Sequence, residues 1–363
     1  MKHLKTISRL IVGLVFLFSG FVKIIDPLGT AYKFDEYFIA FNLDFLAPIS
    51  FPLALLMCGA EFLIGFCLFF NIRTKISAWA VLIFMSFFTV LTFILAIKNN
   101  VSDCGCFGDA IILSNWGTFF KNIIIMLFVL VIFFNRSEFK GLYSKKIEYL
   151  IVFGFTILTF GFELYNYNHL PIIDFRPYKV GNYLPGLMES PAPDVSVKYK
   201  NKDGETREFS IDNLPSSDSG WEWVETISSE AEIPPVHDFE IINPAGERLS
   251  EYVLENKSYT FLLIANRLNK TNTKCQTELN RIAKYCDGYN YDFLCLTSSN
   301  ENEINEFINT YDPQYAFYNT DGITLKTIIR SNPGLVILKE GTVIAKWHYN
   351  DLPTEDDLVN LLK

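Results

Sequence analysis

AWAVLIFMSFFTVLTFILAI, residues 78–97, places 20 positions in a row without one charged side chain. At 1.5 Å of helical rise per residue the run extends about 30 Å, the thickness of a bilayer's hydrocarbon. A helix lying on a water-soluble core would need a polar face, and this run has none. It reads as a membrane span, the third of five: Ile7–Ile25, Ser50–Phe70, Ser77–Ile97, Trp116–Phe134 and Ile147–Tyr165. Lys2, Lys5 and Arg9 precede the first span as in a secretory signal. No small-residue cleavage site follows and four further spans do, so the first is expected to be a retained helix.

Outward from the spans the composition changes. Residues 1–168 carry 13 Lys/Arg against 10 Asp/Glu, a net of +3; residues 169–363 carry 18 against 30, a net of −12. Neither half has the clustered basic face that nucleic acid requires. Basic residues gather before the first span, after the second (Arg73, Lys75) and after the fourth (Arg136, Lys140, Lys145, Lys146). The positive-inside rule then places the N-terminus in the cytoplasm and residues 169–363 across the inner membrane, in a periplasm.

The expected fold is multi-domain. Residues 1–135 form a four-helix membrane bundle in the lipid bilayer, and 136–168 hold a cytoplasmic loop and a fifth transmembrane helix. Residues 169–258 are a connector and β-rich insert, and 259–363 an α/β domain. Pro171, Pro177, Pro185, Pro191 and Pro193 forbid a helix through the connector. Val195–Tyr199, a turn at Asn201–Gly204 and Thr206–Ile211 read as a hairpin, with Trp221 and Trp223 past an acidic patch as another strand.

From residue 259 the pattern is regular. It comprises a buried strand Tyr259–Ala265, a helix Thr273–Tyr285 stopped by Gly288, a strand Tyr291–Thr297 and a helix Glu301–Thr310 capped by Ser298 or Ser299. A helix Ile323–Ile329, strands Leu335–Leu338 and Thr342–Trp347, and a helix Leu352–Leu362 complete it.

The cysteines, seven in all, fall into groups: Cys58 and Cys67 within the second span, Cys104 and Cys106 in the loop after the third, and Cys275, Cys286 and Cys295 in the outer domain. The strongest local motif is Asp103-Cys104-Gly105-Cys106-Phe107-Gly108-Asp109. Glycines at 105 and 108 suit a tight loop. Lys98 and Lys121 flank it and would favour a thiolate if close. The pair fits a redox-active dithiol, a static disulfide or reduced pair, or a metal site. No histidine is present, and two thiolates with carboxylates make an incomplete zinc set, so no metal is assigned.

Within the spans, Glu61 and Lys23 stand out, because an ionised carboxylate in hydrocarbon must be neutral, paired or facing a cavity. Glu61 could pair with Lys23 or Arg9, or the two could serve a quinone or a proton. Asp26-Pro27 reads as the end of the first helix. Glu163 near the outer end of the fifth can snorkel to the interface.

Ser19-Gly20-Phe21-Val22-Lys23-Ile24-Ile25-Asp26-Pro27, Gly59-Ala60-Glu61-Phe62-Leu63-Ile64-Gly65 and Cys104-Gly105-Cys106-Phe107-Gly108 resemble the DoxX family and its relative, the methylamine utilisation protein MauE. The resemblance implies a four-helix membrane bundle with quinone-linked thiol chemistry at Cys104 and Cys106. It also resembles DoxX-like proteins of Bacteroidota that carry a C-terminal extension.

The outer domain resembles thioredoxin. Pro333 in Asn332-Pro333-Gly334 matches the cis-proline that faces the active site in that fold. The C-x-x-C motif is missing: its place falls at Asn269–Asn272, with Cys275 about one turn further into the helix as a displaced thiol. Cys295 reads as core filling.

Two functions from different classes follow. One is a membrane thiol-disulfide oxidoreductase whose tethered domain binds envelope protein clients. The other is a non-catalytic anchor that assembles envelope partners. A transporter ranks behind both, since no inverted repeat is visible.

Overall fold

The protein is described by a computed structural model covering residues 2–101, 103–141, 143–189, 195–201, 204–210, 213–215, 220–228 and 234–363. The membrane half is built from α1 (Lys2–Ile25), α2 (Pro27–Ala40), α3 (Ser50–Phe69), α4 (Thr74–Lys98), α5 (Asn115–Phe134) and α6 (Lys145–Asn168). All but α2 are long and apolar enough to cross a membrane, which gives five spans among the described residues. They fall where unbroken hydropathy places them.

The helix that hydropathy misses is α2. Asp26-Pro27 ends α1 and also starts α2: the Asp26 carboxylate accepts from the Gly29 N–H at 2.9 Å, and Pro27 sits where a helix needs no N–H. α1 and α3 pack closely, since a Cβ at Gly20 would lie 2.6 Å from the Phe62 backbone. Small residues that admit such approach are how helices associate in lipid. The expected ends of the bundle hold together. Lys5 pairs with Glu138 and Asn71 donates to the Lys140 carbonyl, so the basic loops share one end, opposite Cys104 and Cys106.

Beyond α6 come α7 (Leu184–Met188) and a three-stranded antiparallel sheet of β1 (Val195–Asn201), β2 (Thr206–Ser210) and β3 (Trp221–Ser228), ordered β2-β1-β3. The expected hairpin and tryptophan strand are both present. Pro191, Pro193, Lys202, Asp203, Ile211 and residues 216–219 of the acidic patch lie outside the described residues.

After α8 (Ser250–Glu255) the last domain runs β4 (Tyr259–Ile264), α9 (Gln276–Tyr289), β5 (Asp292–Thr297), α10 (Glu301–Tyr311), β6 (Ala316–Asn319), α11 (Gly322–Ile328), β7 (Gly334–Lys339), β8 (Thr342–His348) and α12 (Glu355–Leu361). The sheet order is β6-β5-β4-β7-β8. β4, β5 and β6 are parallel, and β7 and β8 return antiparallel. With the Asn332–Pro333 peptide cis immediately before β7, the arrangement is thioredoxin-like, as the sequence implied. The continuous apolar run of β4 is explained by its central place: Phe261, Leu262, Leu263 and Ile264 are all buried.

Local expectations fail where a cap was misread. α9 passes through Gly288 and ends on Asn290, whose φ of 56° supplies the left-handed turn that glycine was expected to give. α10 starts from Asn300 in a capping box with Glu303, while Ser298 donates to the Asn266 carbonyl. β6, four residues long, is too short to signal itself.

Candidate functional site around Cys104 and Cys106

The loop between α4 and α5 turns on glycine. Gly105 has φ +60° and Gly108 φ +53°, the left-handed region that a Cβ disfavours. Cys104 and Cys106 are disulfide-bonded with their Cα atoms 5.4 Å apart, inside the ordinary span of such a bond.

Each neighbouring helix fastens the loop. From α2, the Tyr37 hydroxyl donates to the Cys104 carbonyl at 2.6 Å, and Lys33 donates to Asp103 at 2.9 Å. Burial opposes the charge on Lys33, but Asp103 and Glu36 outweigh it and hold its pKa above the usual lysine value. From α1, the Ser19 hydroxyl donates to the Cys106 carbonyl at 2.6 Å. From α5, Thr118 Oγ1 lies 3.6 Å from Cys104 Sγ.

Beneath the disulfide is a cavity with about 50 Å³ of room for the centres of water-sized molecules. Phe34, Phe84, Phe88 and Met57 give it apolar walls; Ser19, Lys23, Glu61 and Lys121 give it polar ones. The predicted intramembrane pair is formed, since Lys23 donates to Glu61 at 2.7 Å with both side chains buried. Lys23 also reaches Ser19 Oγ at 3.2 Å. A polar line therefore runs Glu61, Lys23, Ser19, Cys106 carbonyl.

Arg9, the alternative partner for Glu61, instead donates to the Leu68 and Phe69 carbonyls. Of the two lysines expected near the loop, Lys121 lines the cavity and lies 4.3 Å over the Phe107 ring. Lys98 sits over Phe41 instead.

Two sequence expectations are corrected. Glu163 does not snorkel: its residue is 0% exposed, turned inward against α3. Cys275 is not a turn inside the helix. α9 begins at Gln276, so Cys275 is its N-cap residue. Its thiol lies 3.4 Å from the Asn272 carbonyl, and burial pushes its pKa up to about 11. A thiol so protonated is inert near neutral pH. Cys286 and Cys295 are buried, the latter as core filling.

The residue that sequence reasoning missed is Arg330, three positions before Pro333. It donates to Asp26 at 2.8 and 3.0 Å and to Asp109 at 2.9 Å, with 6% of its side chain exposed. Burial opposes its charge, but Asp26 and Asp109 outweigh burial and raise its pKa above the guanidinium norm. Lys326 lies 4.7 Å over the Tyr32 ring beside it. The cis-proline end of the thioredoxin-like sheet is thereby seated on the cysteine loop and the start of α2. A further tie joins His169 to Asp351 at 2.8 Å and Asn350 to the Asn168 carbonyl at 2.7 Å. Nothing in the local sequence around Arg330 distinguishes it from a surface arginine.

Known proteins resemble parts of the chain. Residues 194–230 match a domain family of unknown function. Protein TlpB of Flavobacterium psychrophilum is 24% identical over 161 residues, which span 44% of this chain and 43% of that protein. The chain thus spans less than half the length of that curated relative. Solved structures similar to it include a putative protein disulfide isomerase from Bacteroides thetaiotaomicron, at 15% identity over 34% of this chain and 81% of that one, with a TM-score of 0.28. A thioredoxin-like protein from Aeropyrum pernix is 14% identical over 34% of this chain and 87% of its own, also with a TM-score of 0.28. Residues 1–135, the helices and loop that hold Cys104, Cys106, Lys23 and Glu61, match the family of the methylamine utilisation protein MauE.

Proposed function

We propose that this multi-pass membrane protein is a thiol-disulfide oxidoreductase whose working pair is Cys104 and Cys106. The observation that carries the reading is the position of that pair. An intramembrane cavity opens on one side of it, and the cis-proline end of a thioredoxin-like domain rests on the other through Arg330 and Asp109.

The exchange step is balanced within the chain and its client. A client thiolate attacks one sulfur, the Cys104–Cys106 bond breaks, and the departing sulfur takes a proton. The client's second thiolate then attacks the mixed disulfide, leaving an oxidised client and a dithiol. Tyr37 and Ser19 hold the two cysteine carbonyls in the disulfide state.

Closing the disulfide again removes two electrons and two protons. A quinone, when bound, supplies the acceptor for both. Phe34, Phe84 and Phe88 would offer such a ring apolar faces, and Ser19, Lys23 and Lys121 are the donors its oxygens would meet. Glu61 orients Lys23. The charge distribution of the loops supports an inner-membrane location with the N-terminus in the cytoplasm and the active loop facing the periplasm. The thioredoxin-like domain, lacking its own C-x-x-C, is assigned to hold envelope protein clients at the cysteine loop.

A second reading, an anchored assembly protein without catalysis, is favoured by one observation: Cys275 is the sole thiol near the thioredoxin redox position among the described residues, and it is half-buried, with its pKa raised to about 11. Trapping free thiols in intact cells with a mass-shifting maleimide separates the two. Under the redox reading, Cys104 and Cys106 are a mixed population that shifts to dithiol when respiration is blocked, and Cys104→Ser or Cys106→Ser traps a mixed disulfide with a client. A pair that stays fully oxidised or fully reduced whatever the state of respiration selects the assembly protein.

A further inference from the structure

Glu163 belongs to α6, outside residues 1–135 that resemble MauE. It lies five residues from the outer end of its helix, close enough for a carboxylate to reach the interface by extending along the helix. It does the opposite. Its side chain turns into the seam between α6 and α3, where a Cβ at Gly59 would stand 3.6 Å from Oε1. Both carboxyl oxygens are fully buried and have no hydrogen-bond partner among the described residues.

The ionisable groups on the elements packed against α6 are accounted for elsewhere. On α1, Lys23 is bound to Glu61 of α3, and Arg9 to backbone carbonyls. On α2, Tyr32 lies under Arg330, Lys33 holds Asp103, and Asp35 accepts from Ser50. Cys58 of α3, one residue from Gly59, donates to Thr30 Oγ1 at 3.4 Å. A carboxylate there, without donor or counter-ion, would bear the full cost of desolvation; a carboxylic acid would not.

We propose that Glu163 is a proton-binding site buried in the membrane domain, its carboxyl relaying a proton as Cys104–Cys106 is reoxidised. The coupling rests on the thiol-redox reading above; the site itself does not. A client dithiol that opens the disulfide brings both the two electrons and the two protons of the new thiols. Reoxidation passes two electrons and two protons to an acceptor of the quinone class. One of those protons crosses the Glu163 carboxyl, whose O–H bond breaks as the proton leaves for the acceptor and re-forms as one S–H bond breaks, so that the site ends protonated. The line Glu61, Lys23, Ser19 to the Cys106 carbonyl is the polar connection on the far side of α3.

The test uses the full chain in membrane vesicles and dicyclohexylcarbodiimide, which adds to buried carboxylic acids and spares ion-paired carboxylates. Mass spectrometry should find the adduct on Glu163 at neutral pH and none on Glu61. Glu163→Gln should abolish it, and Glu163→Asp, which keeps the acid, should restore it. With the thiols followed by maleimide, Glu163→Gln should slow respiration-linked reoxidation of Cys104 and Cys106 at least tenfold and flatten its pH dependence. Reduction by dithiothreitol should be unchanged, which also shows that the variant is folded. No adduct at any pH, or an adduct with wild-type reoxidation in Glu163→Gln, overturns the proposal. An adduct in a protein whose thiols never cycle keeps the proton site and removes the thiol-redox reading instead.

Discussion

Cys275 and Cys104 illustrate how little a cysteine's place in the sequence says about its chemistry. Cys275 stands at the mouth of α9, where a thioredoxin would keep a reactive thiol, yet burial lifts its pKa to about 11. Its alkylation by iodoacetamide should be slow at pH 7 and rise about tenfold per pH unit until the medium approaches that value, since the thiolate is the nucleophile. A rate at pH 7 matching that of an exposed thiol would contradict the burial seen here. Cys104, Cys106, Lys23 and Glu61 could be singled out in the sequence as candidates because each breaks a local rule: paired thiols one residue apart, and charges inside apolar helices. Arg330 breaks none. Its partner Asp26 lies 304 positions away in the chain, and no periodicity or propensity reports a contact of that separation. Glu163 was visible as an intramembrane charge, but which way its side chain turned depends on the room left by Gly59, a fact of packing.

At the scale of elements, hydropathy located the spans to within a few residues because the bilayer imposes one long-range requirement on every position. It passed over α2, whose 14 residues include charges and lie outside the apolar runs. The seam between α1 and α3 depends on glycine. Gly20→Leu would drive a side chain into the Phe62 backbone, where neither helix can yield without separating. Loss of that packing is expected to cost about 1–3 kcal/mol or more, as overpacking does, and to lower the melting temperature of the purified protein. An unchanged melting temperature would mean that the helices are not this close.

A buried charge cluster in the outer domain gives a pH signature. Lys346 donates to Asp174 at 2.8 Å. Burial, reinforced by Arg176, nonetheless lowers its pKa to about 7. The native state then binds this proton more weakly than the unfolded chain does. Stability should therefore rise as pH increases from about 7 towards the ordinary lysine value. The difference in melting temperature between the wild type and Lys346→Met should narrow or change sign across that range; a constant difference would show that the lysine titrates normally.

For the whole molecule, the decisive feature is the seat of the thioredoxin-like domain on the membrane bundle. Arg330→Met would leave Asp26 and Asp109 facing each other without their cation. Breaking a buried pair in this way costs about 3–5 kcal/mol. The expected result is loss of hydrogen-exchange protection in α2 and the cysteine loop, with β4 and β7 unaffected. Arg330→Lys should restore only part of it, because an ammonium cannot present the same fork to two carboxylates. Protection unchanged in Arg330→Met would place the weight of the interface on the His169–Asp351 tie.

The seat also fixes a kinetic order. Arg330 and Asp109 are carried on one chain, so their meeting is a first-order event whose frequency is independent of how many copies a cell makes. A covalent tether of this kind corresponds to a local concentration in the millimolar range. An outer domain supplied separately would have to approach that concentration to compete, so severing the connector should abolish its hold on the cysteine loop at any ordinary level of expression.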